Sequence, residues 1–343
     1  MTNGSFTMSE PGKNLKIGIT MGCPAGVGPE IVLKALGKTW PEDIKLVVLG
    51  DASWLKTVAQ QLGLFQDWPI ISQPRELDEL TQHAVLNLSQ LSQVHWGQPD
   101  LETAKAMVGY IKEGVRLCQE GILHALVTAP ISKTALKLAG EPYPGHTEML
   151  ADLTGTKEFA MAFWGEKLKI VLVTIHVALK EVPHLLSQEE ILKAARLAYQ
   201  FLKNDLGLKA PRLALAALNP HASEGGLFGQ EEEKILIPAV KDAQEEGLPL
   251  FGPYPSDSLF FRAVKGEFDL VVSLYHDQGL IPFKLLHFED GVNLTLGLPI
   301  IRTSVDHGTA YDIAGKGVAN PQSLFKAIEL AIHMAKNRMA ENT

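Results

Sequence analysis

Residues 169–176 read KIVLVTIH, an apolar, β-branched run that ends on a histidine. Such a run predicts a strand covered on both faces, the pattern of a parallel sheet between helices. Residues 187–206 then read as a long helix, with Ser187 and Glu190 as a capping box. Residues 212–218, RLALAAL, return to strand and lead into Asn219-Pro220-His221. Residues 230–245 read as an acidic helix, and 269–274, DLVVSL, as a strand followed by Tyr275-His276-Asp277. Upstream, residues 16–20, 44–50 and 125–128 read as strands. Residues 52–62, 103–120 and 132–138 read as helices, and Pro29 beside Glu30 opens another. A last helix spans 321–338. This alternation predicts an α/β fold with a largely parallel sheet.

The chain has 343 residues, enough for two domains or one large α/β unit with two lobes. No repeat, low-complexity tract or linker divides it. The expected division is a disordered tail over 1–14, a first α/β lobe over 15–140, a second over 141–310 carrying the site, and a C-terminal segment, 311–343, returning to the first. Hydrophobic residues make up 46% and charged residues 20%, so a substantial core is expected. The net charge is −8 and nothing basic is clustered, which argues against a nucleic-acid partner. Two cysteines, Cys23 and Cys118, do not read as a disulfide framework, so a reducing cytoplasm is expected. The first residues lack the apolar core of a signal peptide, and no apolar run spans a membrane.

His176, His221 and His276 share one placement, each just past the carboxyl end of a strand. Ligands of open parallel sheets bind at those ends. Three imidazoles there suit a transition metal and leave positions open for substrate. Their spacings, 45 and 55 residues, match no short ligand motif, and a lone histidine at a strand end is more often structural.

Glycine-rich turns supply the context. Gly225, Gly226 and Gly229 follow His221 and permit positive φ before a helix start. Gly22–Cys23–Pro24–Ala25–Gly26–Val27–Gly28 is neither a dinucleotide fingerprint nor a P-loop, yet leaves phosphate binding by backbone N–H groups open. His146 and Thr147 stand at an anion-attracting helix start, where Thr147 also suits a plain N-cap. Lys133 opens another helix. Lys284 and Arg302, with Asn293 between them, suit a grip on phosphate or carboxylate; surface solvation is the alternative.

Together, GCPAGVGPE, TAPISK, PGHTEMLA, TIHVAL, LNPHASEGGLFGQEE, GPYPSDSLFF, YHDQGLIPFK and GVNLTLGLPIIRTSVDHGTAYDIAGKG resemble the 4-hydroxythreonine-4-phosphate dehydrogenase family of vitamin B6 synthesis. The likeness runs from about residue 16 to the C-terminal helix. It implies a three-layer α/β/α fold like the isocitrate and isopropylmalate dehydrogenases, with two lobes and a central cleft. It implies a homodimer with the active site near the subunit interface, a divalent metal (Zn, Mg or Co) on His176, His221 and His276, with His276 from the partner subunit, and substrate contacts at His146, Thr147, Lys284, Asn293 and Arg302. The implied reaction is oxidation of a small phosphorylated substrate by NAD or NADP, followed by decarboxylation. Cys23 stands where the family commonly has Asp, a departure that removes a carboxylate from that loop; a thiol there would oxidise if exposed and ionised.

Asp257 and Asp277 are the candidates for the base that takes the hydroxyl proton. Asp277 adjoins a ligand and suits orienting it instead. Same-fold relatives acting on phosphorylated erythronate or threonate, or on a dihydrodiol, are the nearest alternatives. A metal-dependent hydrolase is the rival from another class, and a catalytically silent binding protein is a third.

Overall fold

A computed structural model describes residues 14–64 and 67–341. Residues 1–13 of the expected tail lie outside the described residues. Asn14 is tied down, its Nδ2 donating to Leu80 O at 3.2 Å.

The described strands are β1 Leu15–Thr20, β2 Ile44–Gly50, β3 Ile70–Ile71, β4 Ala84–Asn87, β5 Ala125–Thr128, β6 Ala160–Trp164, β7 Lys169–Leu172, β8 Leu213–Ala216, β9 Leu250–Tyr254, β10 Leu270–Ser273, β11 Val292–Leu296 and β12 Arg302–Val305. They form one sheet in the order β3-β4-β2-β1-β5-β12-β11-β6-β7-β10-β8-β9. β3 through β12 in that order are mutually parallel, as are β7, β10, β8 and β9. Three antiparallel pairings, β12–β11, β11–β6 and β6–β7, join the two blocks. Three reversals make the blocks run in opposite senses. The largely parallel sheet expected from the sequence therefore has an antiparallel centre.

Outside β11 and β12, the strand interiors are mostly apolar because both faces are covered. Along β7, Ile170 and Leu172 join a core with Phe163, Leu259 and Phe283, while Val171 joins the other core with Ile191 and Leu215. Successive side chains of a strand point to opposite faces, so this split is the signature of three layers, helix–sheet–helix. The helix Gln322–Glu341 covers β12, with Thr303 Oγ1 donating to Ala327 O at 2.8 Å.

Two elements depart from expectation. The ladder of β7 stops at Leu172, four residues before His176, although Val173 and Thr174 still donate to Ser273 O and Leu274 O. The long helix expected over 187–206 is α-helical only over Gln188–Gln200 and widens to i→i+5 turns over Phe201–Asp205. Its start has only half of the expected box: Ser187 Oγ accepts from Glu190 N at 3.2 Å.

Candidate active site

A cleft of about 510 Å³ opens over one face of the antiparallel centre. Its floor comes from Met161 and Phe163 of β6, Asn293 of β11, and Arg302 and Ser304 of β12. Asn293 pairs with Phe163 on one side and Ser304 on the other, so these residues share a face by register. The walls include Lys133, His146, Thr147, Glu148, His176, His276, Lys284 and Asp306.

Arg302 decides what the cleft can hold. Its side chain is 2% exposed. Nε and Nη2 donate to Thr128 Oγ1 at 3.1 and 2.7 Å, and Nη1 donates to Asn293 Oδ1 at 3.0 Å and Thr295 Oγ1 at 3.2 Å. Every acceptor is neutral, and no carboxylate among the described residues pairs with it. Burial lowers its pKa to about 9. Burying a cation without a counterion costs several kcal/mol, and an anion in the cleft would offset that cost.

His146 stands beside it. The residue is half-buried, with Nε2 sealed from solvent and without a partner among the described residues. Burial first, then the Arg302 charge, holds this imidazole well below its ordinary pKa. It is a neutral hydrogen-bonding group at neutral pH. Thr147 is not the N-cap; that position is Gly145, and Thr147 sits inside the helix His146–Leu153. Its buried hydroxyl lies 3.4 Å from Thr295 Oγ1. Lys284 Nζ is 2.6 Å from Asp306 Oδ2 and donates to Asp306 O at 2.8 Å.

At another wall His176 and His276 face each other, with ring centroids 5.7 Å apart. Both follow neighbouring parallel strands, β7 and β10. Burial, then Lys133 and His276, lower the His176 pKa, which leaves its ring neutral and its lone pair free. His276 Nδ1 is bonded to Asp277 Oδ1 at 2.7 Å, leaving Nε2 for a ligand. A carboxylate on the far nitrogen is the usual way a ligating imidazole is oriented. The resemblance assigned His276 to a partner subunit; in this chain it lies next to His176.

His221 does not line the cleft. It is exposed, near Phe228, in a turn where His221, Ala222, Ser223 and Glu224 have φ of 53°, 52°, 63° and 47°. Gly225 and Gly226 continue it at 68° and 88°. Left-handed backbone costs a non-glycine residue about 1–2 kcal/mol, so four in succession persist only where the surroundings hold them. Asp257 lies in the exposed first turn of the helix Ser256–Val264, also outside the cleft. Among the described residues, no three His, Cys, Asp or Glu side chains converge closely enough to hold an ion in one chain.

Three features escaped the sequence. Thr128 and Thr295 are hydroxyl acceptors for Arg302, and Asp306 is the partner of Lys284. Asp306 lies within RTSVDHG, four residues after Arg302 and on the same strand exit, which is the one signal that could have found it. The first glycine-rich turn is not a phosphate loop. It is buried throughout: Cys23 N donates to Pro130 O at 2.9 Å, and Val27 N to Thr309 O at 3.0 Å. Cys23 is fully buried, with Sγ 3.3 Å from the Tyr311 hydroxyl, and burial raises its pKa. The condition for its oxidation, an exposed thiolate, is not met.

The fold is a three-layer α/β/α sandwich whose central cleft holds a buried cation and a histidine pair. The chain belongs to the family described as "Pyridoxal phosphate biosynthetic protein PdxA", which its residues 42–331 match. It is 50% identical to a 4-hydroxythreonine-4-phosphate dehydrogenase of Desulfosudis oleivorans, over 93% of this chain and 96% of that one. It is 42% identical to a D-threonate 4-phosphate dehydrogenase of Salmonella typhimurium, over 93% and 98%. The crystal structure of the Klebsiella pneumoniae 4-hydroxythreonine-4-phosphate dehydrogenase superposes with a TM-score of 0.84 at 40% identity, covering 94% and 99%. No helix among the described residues is long and apolar enough to cross a membrane.

Proposed function

We propose that the chain oxidises 4-(phosphooxy)-L-threonine to 2-amino-3-oxo-4-(phosphooxy)butanoate with NAD or NADP, a product that decarboxylates to 3-amino-2-oxopropyl phosphate, in the synthesis of pyridoxal 5'-phosphate. The observation that carries this is Arg302, a guanidinium buried at the cleft floor with only neutral acceptors. A phosphate supplies the missing charge and presents several oxygens to its N–H groups. His146 Nε2, Thr147, Asn293 and Lys284 complete an anchor at one end of the substrate.

His176 and His276 stand at another wall of the cleft. Two imidazoles at 5.7 Å between centroids suit an ion about 2.0–2.1 Å from each nitrogen. With His221, they are the residues that would hold a divalent metal. The all-imidazole set favours Zn or Co over Mg, which prefers oxygen. When bound, such an ion would supply Lewis-acid chemistry, drawing electron density from a substrate oxygen. Asp277 fixes the His276 ring, and the phosphate anchor sets which carbon lies beside it. A neutral His176 needs no proton release to donate its lone pair.

The ligand set is incomplete in one copy, which supports a homodimer. The helix His276–His287 and its C-cap Phe288 carry an apolar stripe to solvent: Ile281, Leu285 and Phe288 are 67%, 85% and 76% exposed. These residues recur at i, i+4 and i+7, one helix face. A stripe beginning little more than one turn from His276 suits a second copy of this chain that completes the site and brings Asp257 to a neighbouring cleft as base, while Asp277 stays with the His276 ring.

The test is a substrate panel with metal-reconstituted protein. NADH or NADPH should form with 4-(phosphooxy)-L-threonine at a kcat/KM well above that for threonate 4-phosphate or a dihydrodiol. Preference for threonate 4-phosphate would reassign the substrate. Phosphate release without nicotinamide reduction would make the protein a hydrolase.

A further inference from the structure

We infer that Glu232 is a positioning residue that holds the strained turn presenting His221, an inference resting on the proposal that His221 is a metal ligand. Glu232 is 1% exposed, and no cation among the described residues is paired with it. Its Oε1 accepts from Leu218 N at 2.9 Å and Asn219 N at 2.7 Å, and its Oε2 from Asn219 Nδ2 at 2.8 Å. One carboxylate thus grips both backbone N–H groups at the exit of β8 and the side chain two residues before His221.

The surroundings tighten this grip. Asn219 Nδ2 also donates to Glu231 Oε2 at 2.8 Å. Gly229 leaves no space, because a Cβ there would stand 2.5 Å from Asn219 Nδ2. Ser223, buried within the turn, accepts from Gly226 N at 3.2 Å. These contacts clamp the chain immediately before and after residues 221–226, all in left-handed backbone. Such a run has no favourable local conformation to fall back on, so its shape depends on the clamp. A buried acceptor that satisfies three donors is costly to replace, since removing it strands all three. Glu232 touches neither the cleft nor a reacting atom; its action is on where His221 can be.

Glu232→Gln separates positioning from packing. The amide keeps an oxygen for the two backbone donors but turns an NH₂ group onto the NH₂ of Asn219. Val240→Ala, a buried change further along the same helical run, serves as a control for general destabilisation. Amide hydrogen exchange over residues 219–226 should rise in Glu232→Gln and stay at the wild-type level in Val240→Ala. Co²⁺ affinity, read from its visible absorption, should fall on the order of 10- to 100-fold in Glu232→Gln, the range for groups that orient ligands, and not in Val240→Ala. Unchanged exchange in Glu232→Gln, or an affinity loss no larger than that of Val240→Ala, overturns the assignment. Should His221→Ala bind Co²⁺ as tightly as wild type, the ligand role of His221 falls, while the exchange contrast still decides whether Glu232 holds the turn.

Discussion

Arg302 of β12 donates twice to Thr128 Oγ1 of β5, at 2.7 and 3.1 Å, across two parallel strands whose backbones are paired at residues 302–304 and 126–128. One hydroxyl thereby holds the guanidinium against the first block of the sheet, while Asn293 and Thr295 hold it from β11. The cation is fixed before any ligand arrives, so little ordering is left to do on binding.

Arg302→Met should separate function from stability. Truncating one side of a buried charged contact costs about 2–5 kcal/mol of binding, so kcat/KM for the phosphorylated substrate should fall by at least ~30-fold. The ligand-free protein should lose no stability, since an uncompensated buried charge is removed. A wild-type kcat/KM would take Arg302 out of the site, and a large fall in Tm would contradict the unpaired state described above.

Leu285→Glu tests the dimer. The residue is 85% exposed, so the change should leave the stability of the isolated fold within about 0.5 kcal/mol of wild type. A charge in an apolar interface is poorly tolerated, and sedimentation should show a monomer with reduced metal content and activity. A dimer of wild-type activity would remove this helix face from the interface.

Two glycines should respond in opposite directions. A Cβ at Gly28 would stand 2.2 Å from Met21 O, backbone against backbone, with no side chain free to move aside. Gly28→Ala should destabilise by more than about 3 kcal/mol, the scale of overpacking with backbone displacement. Gly109 lies in the helix Leu101–Gln119 with nothing within 4 Å of an added Cβ. Gly109→Ala should stabilise by about 0.5–1 kcal/mol. Thermal unfolding of both variants reads the contrast.

Both thiols should be inert in the native state. Burial raises the Cys23 pKa, and pushes that of Cys118 to about 12. Thiolate is the reactive form. Ellman's reagent should therefore find no fast-reacting thiol at pH 8, and two in guanidinium chloride. A fast native thiol at Cys23 would show that the turn before Gly28 opens.

Much of this protein was written in local sequence. The β-branched runs at β1, β2, β7 and β10 and the capped helices between them set the α/β alternation, because burial on both faces leaves a continuous apolar signal. The central strands gave no such signal. β11 and β12 carry Asn293, Thr295, Arg302 and Ser304 on the face that forms the cleft floor, and these polar residues interrupt the pattern that marks a strand. Where function occupies a strand face, the sequence loses the mark of the strand.

Motif residues were legible as residue types: a guanidinium and an ammonium for an anion, imidazoles for a metal. Only the tertiary structure showed that Arg302 is buried among neutral acceptors, that Lys284 is shared with Asp306, and that His276 stands beside His176 while His221 sits apart on a left-handed turn. These facts depend on register, crossing connections and burial, which join residues over a hundred positions apart, such as Thr128 and Arg302. Local sequence fixes what a side chain can do; the neighbours that long-range packing brings to it decide whether its charge is paired, its ring neutral and its reach sufficient.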